Sequence, residues 1–283
     1  MSNFPAELAT KRGRLLQLLR GYGSCAVAFS GGLDSAVLAK AAHLAVGDRA
    51  LAVTGVSASL ASDELEKARE LARHIGIRHE VVETGELSSL AYQANRADRC
   101  YHCKMELFSQ IEQVAQRLNA AVVVDGSNQD DQGDHRPGLK AARERGVQSP
   151  LAECALTKPE IRRLAEDWGL PTWNAPAAPC LSSRVAYGEQ VTPERLAMIN
   201  RAEQFLRQRG FQPLRVRYHK GDLARIEVSA AQLPQLTASP LRGEVVDFLK
   251  SLGFKYVSLD LEGFRSGSMN AILPVEEIQG IRE

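Results

Sequence analysis

Cys25-Ala26-Val27-Ala28-Phe29-Ser30-Gly31-Gly32-Leu33-Asp34-Ser35 opens as an apolar run and ends in a small-residue turn, and Ala36-Val37-Leu38-Ala39 follows directly. The apolar run predicts a buried strand, and the residues from Ser35 onward predict a helix. A strand joined to a helix through two adjacent glycines forms an anion cradle. Glycine lets the backbone curl until several N–H groups converge, the helix N-terminus adds partial positive charge, and the hydroxyls of Ser30 and Ser35 add donors. No G-x-x-x-x-G-K-[ST] pattern occurs, so the loop carries no phosphate lysine of its own. A bare Gly-Gly turn would mean little; the whole run in this context points to phosphate.

On either side of this stretch the chain alternates helix and strand patterns. Helices are expected over 5–19, 35–46, 62–73 and 104–118, and strands over 25–29, 50–54, 79–83 and 121–124. That order implies a parallel sheet covered on both faces, with ligands at the carboxyl ends of its strands. Thr157-x-x-Glu160 is a capping box for a helix running to Trp168, stopped by Gly169 and Pro171. The proline-rich stretch 171–179 reads as an irregular exit lying over the site. Beyond Thr192-Pro193 a helix to about residue 209, strands over 214–218 and 224–228, a helix over 242–252 and a strand over 256–259 make a small α+β domain. The expected division is therefore 1–185 and 186–283.

Basic and acidic side chains number 35 and 34, so no global field draws the chain to nucleic acid or an anionic membrane. No apolar stretch is long enough for a membrane span, and Met1-Ser2-Asn3-Phe4-Pro5 lacks a secretory pattern. Five cysteines, an odd number, argue for reduced thiols and a cytoplasmic location.

Three groups of residues carry chemistry. Asp125-Gly126-Ser127-Asn128-Gln129-Asp130-Asp131 follows the fourth strand, and its paired carboxylates, Asp130 and Asp131, suit Mg²⁺ beside a triphosphate. The same stretch has the composition of a solvated turn, and the nearby cradle favours the metal. Cys100-Tyr101-His102-Cys103 brings two thiols, and Cys180 on a later loop supplies a third. Zinc would take a fourth ligand such as His102 or Cys154, whereas three thiolates with one open position suit a [4Fe–4S] cluster. Cys25 and Cys154 read as core thiols. In Leu214-Arg215-Val216-Arg217-Tyr218 the alternation sends both guanidinium groups to one face, where with Arg184 they suit a phosphate. The competing reading is a solvated edge paired with acids such as Glu227. Glu203, a lone acid on the preceding helix, is expected at the surface.

Residues 30–35 resemble the S-G-G-x-D-S pyrophosphate loop (PP-loop) of enzymes that adenylylate a substrate and release pyrophosphate. In order with Cys100-x-x-Cys103-Lys104, 125–131, Ser149-Pro150-Leu151, Thr157-Lys158-Pro159-Glu160-Ile161-Arg162, Cys180-Leu181-Ser182-Ser183-Arg184 and Arg215-Val216-Arg217-Tyr218, the chain from about residue 10 to Asn270 resembles the LarE family. These are ATP-dependent sulfur transferases that mature the nickel-pincer nucleotide cofactor.

The resemblance implies an adenine nucleotide α-hydrolase-like (HUP-type) α/β sheet with a small α+β C-terminal domain. It implies ATP and Mg²⁺, pyridinium-3,5-biscarboxylic acid mononucleotide as substrate, and assembly as a homo-oligomer. Ser30, Gly31, Gly32, Asp34 and Ser35 would hold pyrophosphate, and Val53 and Thr54 would meet adenine or ribose. Arg184, Arg215 and Arg217 would grip the substrate phosphate, with Glu203 as a carboxylate and metal ligand near it. Cys180 stands at the sulfur-bearing position. Single-cysteine members surrender that sulfur, whereas Cys100 and Cys103 here match three-cysteine members associated with a [4Fe–4S] cluster. A PP-loop tRNA thiolase is the nearest competing assignment, opposed by the neutral charge and the lack of a basic stripe. A non-catalytic nucleotide-binding module is the other.

Overall fold

The computed structural model describes residues 5–131, 137–176, 179–265 and 267–269. Helix α1 (Ala6–Tyr22) leads into β1 (Cys25–Ala28), α2 (Leu33–Val46), β2 (Ala50–Val56), α3 (Glu64–Ile75) and β3 (Arg78–Glu83). After the short α4 (Leu90–Gln93) come α5 (Arg99–Arg117), β4 (Val122–Val124), α6 (Pro137–Glu144), α7 (Pro150–Glu153) and α8 (Lys158–Asp167). The sheet order is β3-β2-β1-β4 with every pairing parallel, as the alternation predicts. Gln148 extends it past β4, accepting from Asp125 N at 2.9 Å and donating to Val123 O at 3.0 Å.

Period-two alternation divides β1 between two cores. Cys25 and Val27 join α1, α2, α3 and α8 through Leu15, Leu19, Leu38, Leu71 and Leu164. Ala26 and Ala28 face Phe108, Ile111 and Val114 of α5 and Ala142 of α6. A strand of small residues buried on both faces can leave the sheet only at its ends, so residues 30–35 emerge at the carboxyl edge.

The second sheet has β5 (Leu214–His219) antiparallel to β6 (Leu223–Val228), and β7 (Tyr256–Leu259) parallel to β6. Helix α9 (Pro193–Arg207) precedes it, and α10 (Leu233–Thr237) and α11 (Leu241–Ser251) make the crossover. Leu196, Ile199, Ala202 and Leu206 form one stripe of α9 against Val216, Ile226 and Val228. Tyr92, Leu181 and Val185 pack into this core as well.

Two local expectations change. The helix expected from residue 104 begins at Arg99, so Cys100 and Cys103 sit one turn apart on its first turn. The proline-rich stretch is not wholly irregular, because Pro171–Asn174 forms a 3₁₀ turn started by Pro171.

Gly126, just after β4, lies tight against the start of α2. A Cβ there would lie 2.9 Å from Ser35 N and 3.1 Å from the carbonyl carbon of Asp34. Gly126→Ala must push the β4 loop off the start of α2. We expect a loss of about 1–3 kcal/mol in denaturant unfolding, together with weakened ATP binding by calorimetry.

Candidate nucleotide and sulfur site

The loop after β1 is held by its own hydroxyls. Ser35 Oγ donates to Gly32 O at 3.0 Å and accepts from Ser30 N at 3.2 Å, while Ser30 Oγ lies 3.1 Å from Ser35 Oγ. Ser35 is buried and frames the loop, so its hydroxyl is spent locally rather than aimed outward. Gly31 has φ +74°, and a Cβ there would stand 3.3 Å from Ala68 of α3. Ser30 and Gly32 are exposed at the mouth, and Gly32 is the N-cap of α2.

A cation reaches this loop from outside it. Lys158, the first residue of α8, forms a hydrogen-bonded ion pair through Nζ with Asp34 Oδ2, and Asn128 Nδ2 lies 3.4 Å from Asp34 Oδ1. Lys158 N also donates to Asp130 Oδ2 at 2.7 Å, and Asn128 N donates to Asp131 Oδ2 at 3.0 Å. Asp34, Asp130, Asp131 and Lys158 thus form one ring of charge around the loop. Sequence reasoning passed over Lys158 because it lies 124 residues from its partner Asp34; its Thr-Lys-Pro-Glu setting marked only a helix start. Beneath the ring, buried Asp125 fixes the β4 turn, accepting from Ser127 Oγ and Ser149 Oγ at 2.8 Å each.

Val53 and Thr54 sit on β2 beside the end of β1. Both are buried, Val53 O accepts from Phe29 N at 2.9 Å, and Thr54 Oγ1 donates to Phe29 O at 2.7 Å. Since that hydroxyl proton is used, the 2.8 Å contact makes His79 Nε2 the donor to Thr54. Burial lowers the His79 pKa, as does Arg69. As they stand, these residues brace β1 against β2 and β3.

Cys100 is exposed, Cys103 half-buried and Cys180 exposed, and all five cysteines are free thiols. Cys25 and Cys154 are buried, as expected of core thiols. Burial pushes the Cys103 thiol up to about 12, with charge at Cys180 and Glu86 adding to the effect. Among the described residues, no group of three or more His, Cys, Asp or Glu side chains stands ready to hold a metal ion. Arg99 is buried beside these thiols: burial lowers its pKa, and charge at Cys180 and Cys100 more than reverses this.

The loop bearing Cys180 is tied on both sides. Leu181 N donates to Ser59 O at 2.8 Å, beyond the end of β2, and Tyr92 Oη lies 2.6 Å from Ser182 Oγ. On the other side Arg184 Nη1 donates to Cys180 O at 2.8 Å and to Pro179 O. The rest of Arg184 grips Glu203, with Nε 3.0 Å from Oε1 and Nη2 3.2 Å from Oε2. Glu203 is fully buried, contrary to the surface position expected of a lone acid. Its oxygens also accept from Arg207 Nη2 at 2.6 Å and Val216 N at 3.1 Å, so a guanidinium cluster neutralises it.

Arg217 is buried too, with Nη2 2.7 Å from Glu227 Oε2, so the expected pairing with Glu227 is real but not solvated. Arg217 Nη2 also donates to Ser268 Oγ at 3.1 Å. Arg215 points Nη1 at Leu214 O at 2.7 Å and lies 5.2 Å from the Phe264 ring. Burial brings its pKa down to about 10, with Arg184, Arg217 and Arg207 adding like charge against the opposing pull of Glu203.

A glycine-rich loop at the carboxyl edge of a parallel sheet, with a charged ring at the helix start and thiols alongside, defines a PP-loop sulfur enzyme. The asparagine synthase family matches residues 17–108, which span β1, the loop and the start of α5. A pyridinium-3,5-bisthiocarboxylic acid mononucleotide synthase of Lactiplantibacillus plantarum is 39% identical over 269 residues, covering 95% of this chain and 96% of that one. An uncharacterised Synechocystis protein, slr1717, is 45% identical over 266 residues, covering 94% and 99%. A glutamine-hydrolysing GMP synthase polypeptide of Thermococcus kodakarensis is 26% identical over 278 residues, covering 92% and 85%. The chain belongs to the LarE family. It is accordingly an ATP-dependent sulfur transferase that forms AMP and pyrophosphate.

Glu203→Gln would leave Arg184 and Arg207 without their shared carboxylate. Breaking a buried pair from one side costs about 3–5 kcal/mol, so urea unfolding should show a loss of that order.

Proposed function

We propose that this enzyme adenylylates the carboxylates of pyridinium-3,5-biscarboxylic acid mononucleotide in turn and replaces AMP with sulfur, giving the bisthiocarboxylate for a nickel-pincer cofactor. The product class is that in the name of the L. plantarum relative. The observation that carries this reading is the double anchoring of the Cys180 loop. Leu181 N ties it to the end of β2, and Arg184 ties it to Glu203 within the arginine cluster. Residues 1–185 would form the ATP pyrophosphatase unit and 186–283 the substrate-binding and oligomerisation unit, with Cys180 and Arg184 at the end of the first unit serving the substrate side. The reduced thiols suit the cytoplasm.

ATP enters with its β- and γ-phosphates over the N–H groups of the loop and the N-terminus of α2. Lys158 exchanges Asp34 for phosphate oxygen, which frees Asp34, beside Asp130 and Asp131, as oxygen donors for Mg²⁺. Arg184, Arg215 and Arg217 would grip the substrate phosphate through charge-assisted bonds, with Glu203 and Glu227 holding Arg184 and Arg217 in place. Glu203 has this role as counter-charge; its oxygens are occupied by donors, which disfavours it as a metal ligand. The substrate carboxylate attacks the α-phosphorus, the bond to the β-phosphate oxygen breaks, and pyrophosphate leaves. A sulfur nucleophile then attacks the acyl carbon, and AMP departs with the electron pair of the C–O bond. Adenylylation is needed because a free carboxylate resists such attack.

Cys100, Cys103 and Cys180 are the thiols that would hold a [4Fe–4S] cluster; the three-cysteine pattern supports this part of the reading, although among the described residues they do not stand together as a ready metal-holding group. Bound there, a [4Fe–4S] cluster would supply an open iron position for the sulfur to be transferred. Homo-oligomeric assembly belongs to this reading through family resemblance.

Asp34→Ala should lower substrate-dependent pyrophosphate release by about 10²–10³-fold with an unchanged thermal midpoint. Retained release would remove the loop from the reaction, and formation of ADP alone would overturn the proposal. Anaerobic reconstitution should give a brown protein with about four irons per chain by metal analysis. A colourless zinc protein would overturn the cluster.

A further inference from the structure

Asn95 lies in the short connection between α4 and α5, and its side chain crosses to a segment 90 residues further on. It is fully buried and sits at φ +52°, a backbone region that asparagine tolerates better than most residues. Arg99 Nη1 can only donate, so Asn95 turns Oδ1 toward it and Nδ2 toward three carbonyls. Nδ2 donates to Ala186 O at 2.8 Å, to Glu189 O at 3.0 Å and to Val185 O at 3.2 Å. The backbone joins in: Asn95 O accepts from Gly188 N at 3.2 Å, and Gln93 O accepts from Val191 N at 2.9 Å. Arg99, held by Asn95 Oδ1, passes the contact on by donating to Ser182 O at 2.8 Å.

These bonds converge on the turn that carries Cys180. Leu181–Arg184 is a 3₁₀ turn, closed onto Cys180 O by Ser183 Oγ at 2.7 Å and Ser183 N at 3.1 Å. Fixing Ser182 and Val185 therefore fixes the backbone of Cys180 with them. The other side of the turn faces β5, where Ala186 N donates to Tyr218 O at 2.9 Å and Arg217 Nη1 donates to Ser183 O at 3.2 Å. Asn95 thus clasps the Cys180 turn between the α4–α5 connection and the strand that bears Arg215 and Arg217. Among the described residues, none of its bonds reaches residues 30–35.

We propose that Asn95 is a positioning residue for the sulfur step: it sets the Cys180 turn in register with the arginine-bearing strand, and the phosphate loop works without it. The inference rests on the reading of Cys180 as the sulfur-bearing position.

Asn95→Gly removes the amide and keeps the backbone angle, since glycine adopts positive φ freely. Leu249→Ala, in the core of the second sheet, lowers stability without touching the turn's hydrogen bonds and serves as the comparison. Both full-length variants and wild type are loaded anaerobically with sodium sulfide, desalted, and mixed with ATP and pyridinium-3,5-biscarboxylic acid mononucleotide. First-turnover rates of pyrophosphate release and of thiocarboxylate formation are read by quenched flow and mass spectrometry, alongside the thermal midpoint. In Asn95→Gly the ratio of thiocarboxylate to pyrophosphate rates should fall about 10–100-fold, and in Leu249→Ala it should keep the wild-type value. An unchanged ratio in Asn95→Gly, or an equal fall in Leu249→Ala, overturns the inference. Wild type that releases pyrophosphate and never forms thiocarboxylate overturns the sulfur-transfer reading instead. Should Asn95→Gly not fold, hydrogen exchange on the wild-type chain decides. The amides of Leu181, Ala186 and Gly188 should then be as protected as those of β5, and exchange at the rate of exposed loops overturns the inference.

Discussion

Burial of β1 on both faces is the constraint on which the rest depends. Four small or medium side chains, Cys25 to Ala28, face two separate cores, so the strand has no lateral freedom. The chain must turn at the carboxyl edge, and there the hydroxyls of Ser30 and Ser35 fix the turn before any ligand arrives. A preorganised cradle costs little to fill, because its ordering was met by folding. Thr54 and His79 brace the same edge from β2 and β3.

Charge is arranged around that edge in two styles. Near the loop the charges are partly exposed: the Lys158–Asp34 pair can open without leaving a buried orphan. Around Arg184 and Arg217 the charges are deeply buried and locked, with Glu203 and Glu227 wholly inaccessible. Buried pairs of this kind contribute little net stability but punish any other arrangement. They fix where the Cys180 loop lies, because Arg184 holds that loop's carbonyls while it grips Glu203.

The loop, the parallel sheet and the capped start of α8 were legible because each is written in contiguous residues. Glycines, a hydroxyl at a helix start and period-two or near-3.6 apolar spacing act over a few positions. The reach of Lys158 to Asp34 was not legible, since 124 residues separate them and only the packing of α8 against α2 brings them together. Burial of Glu203 was hidden for the same reason. A lone glutamate on a helix reads as surface until the guanidinium groups of Arg184 and Arg207 are seen closing over it. The Cys100–Cys103 helix turn was missed because polar residues around it mask the helical period.

By itself the sequence determined the phosphate loop, the order of strands and helices, and the two core thiols, Cys25 and Cys154. The motif order also determined the family, which full-length similarity bears out. Only the tertiary structure decided which charges meet: Lys158 with Asp34, Arg184 with Glu203, and Arg217 with Glu227. The physical reason is range. Backbone geometry and hydrophobic period act between neighbours in the chain, whereas the partner of a buried charge is chosen by whichever distant element packing brings beside it.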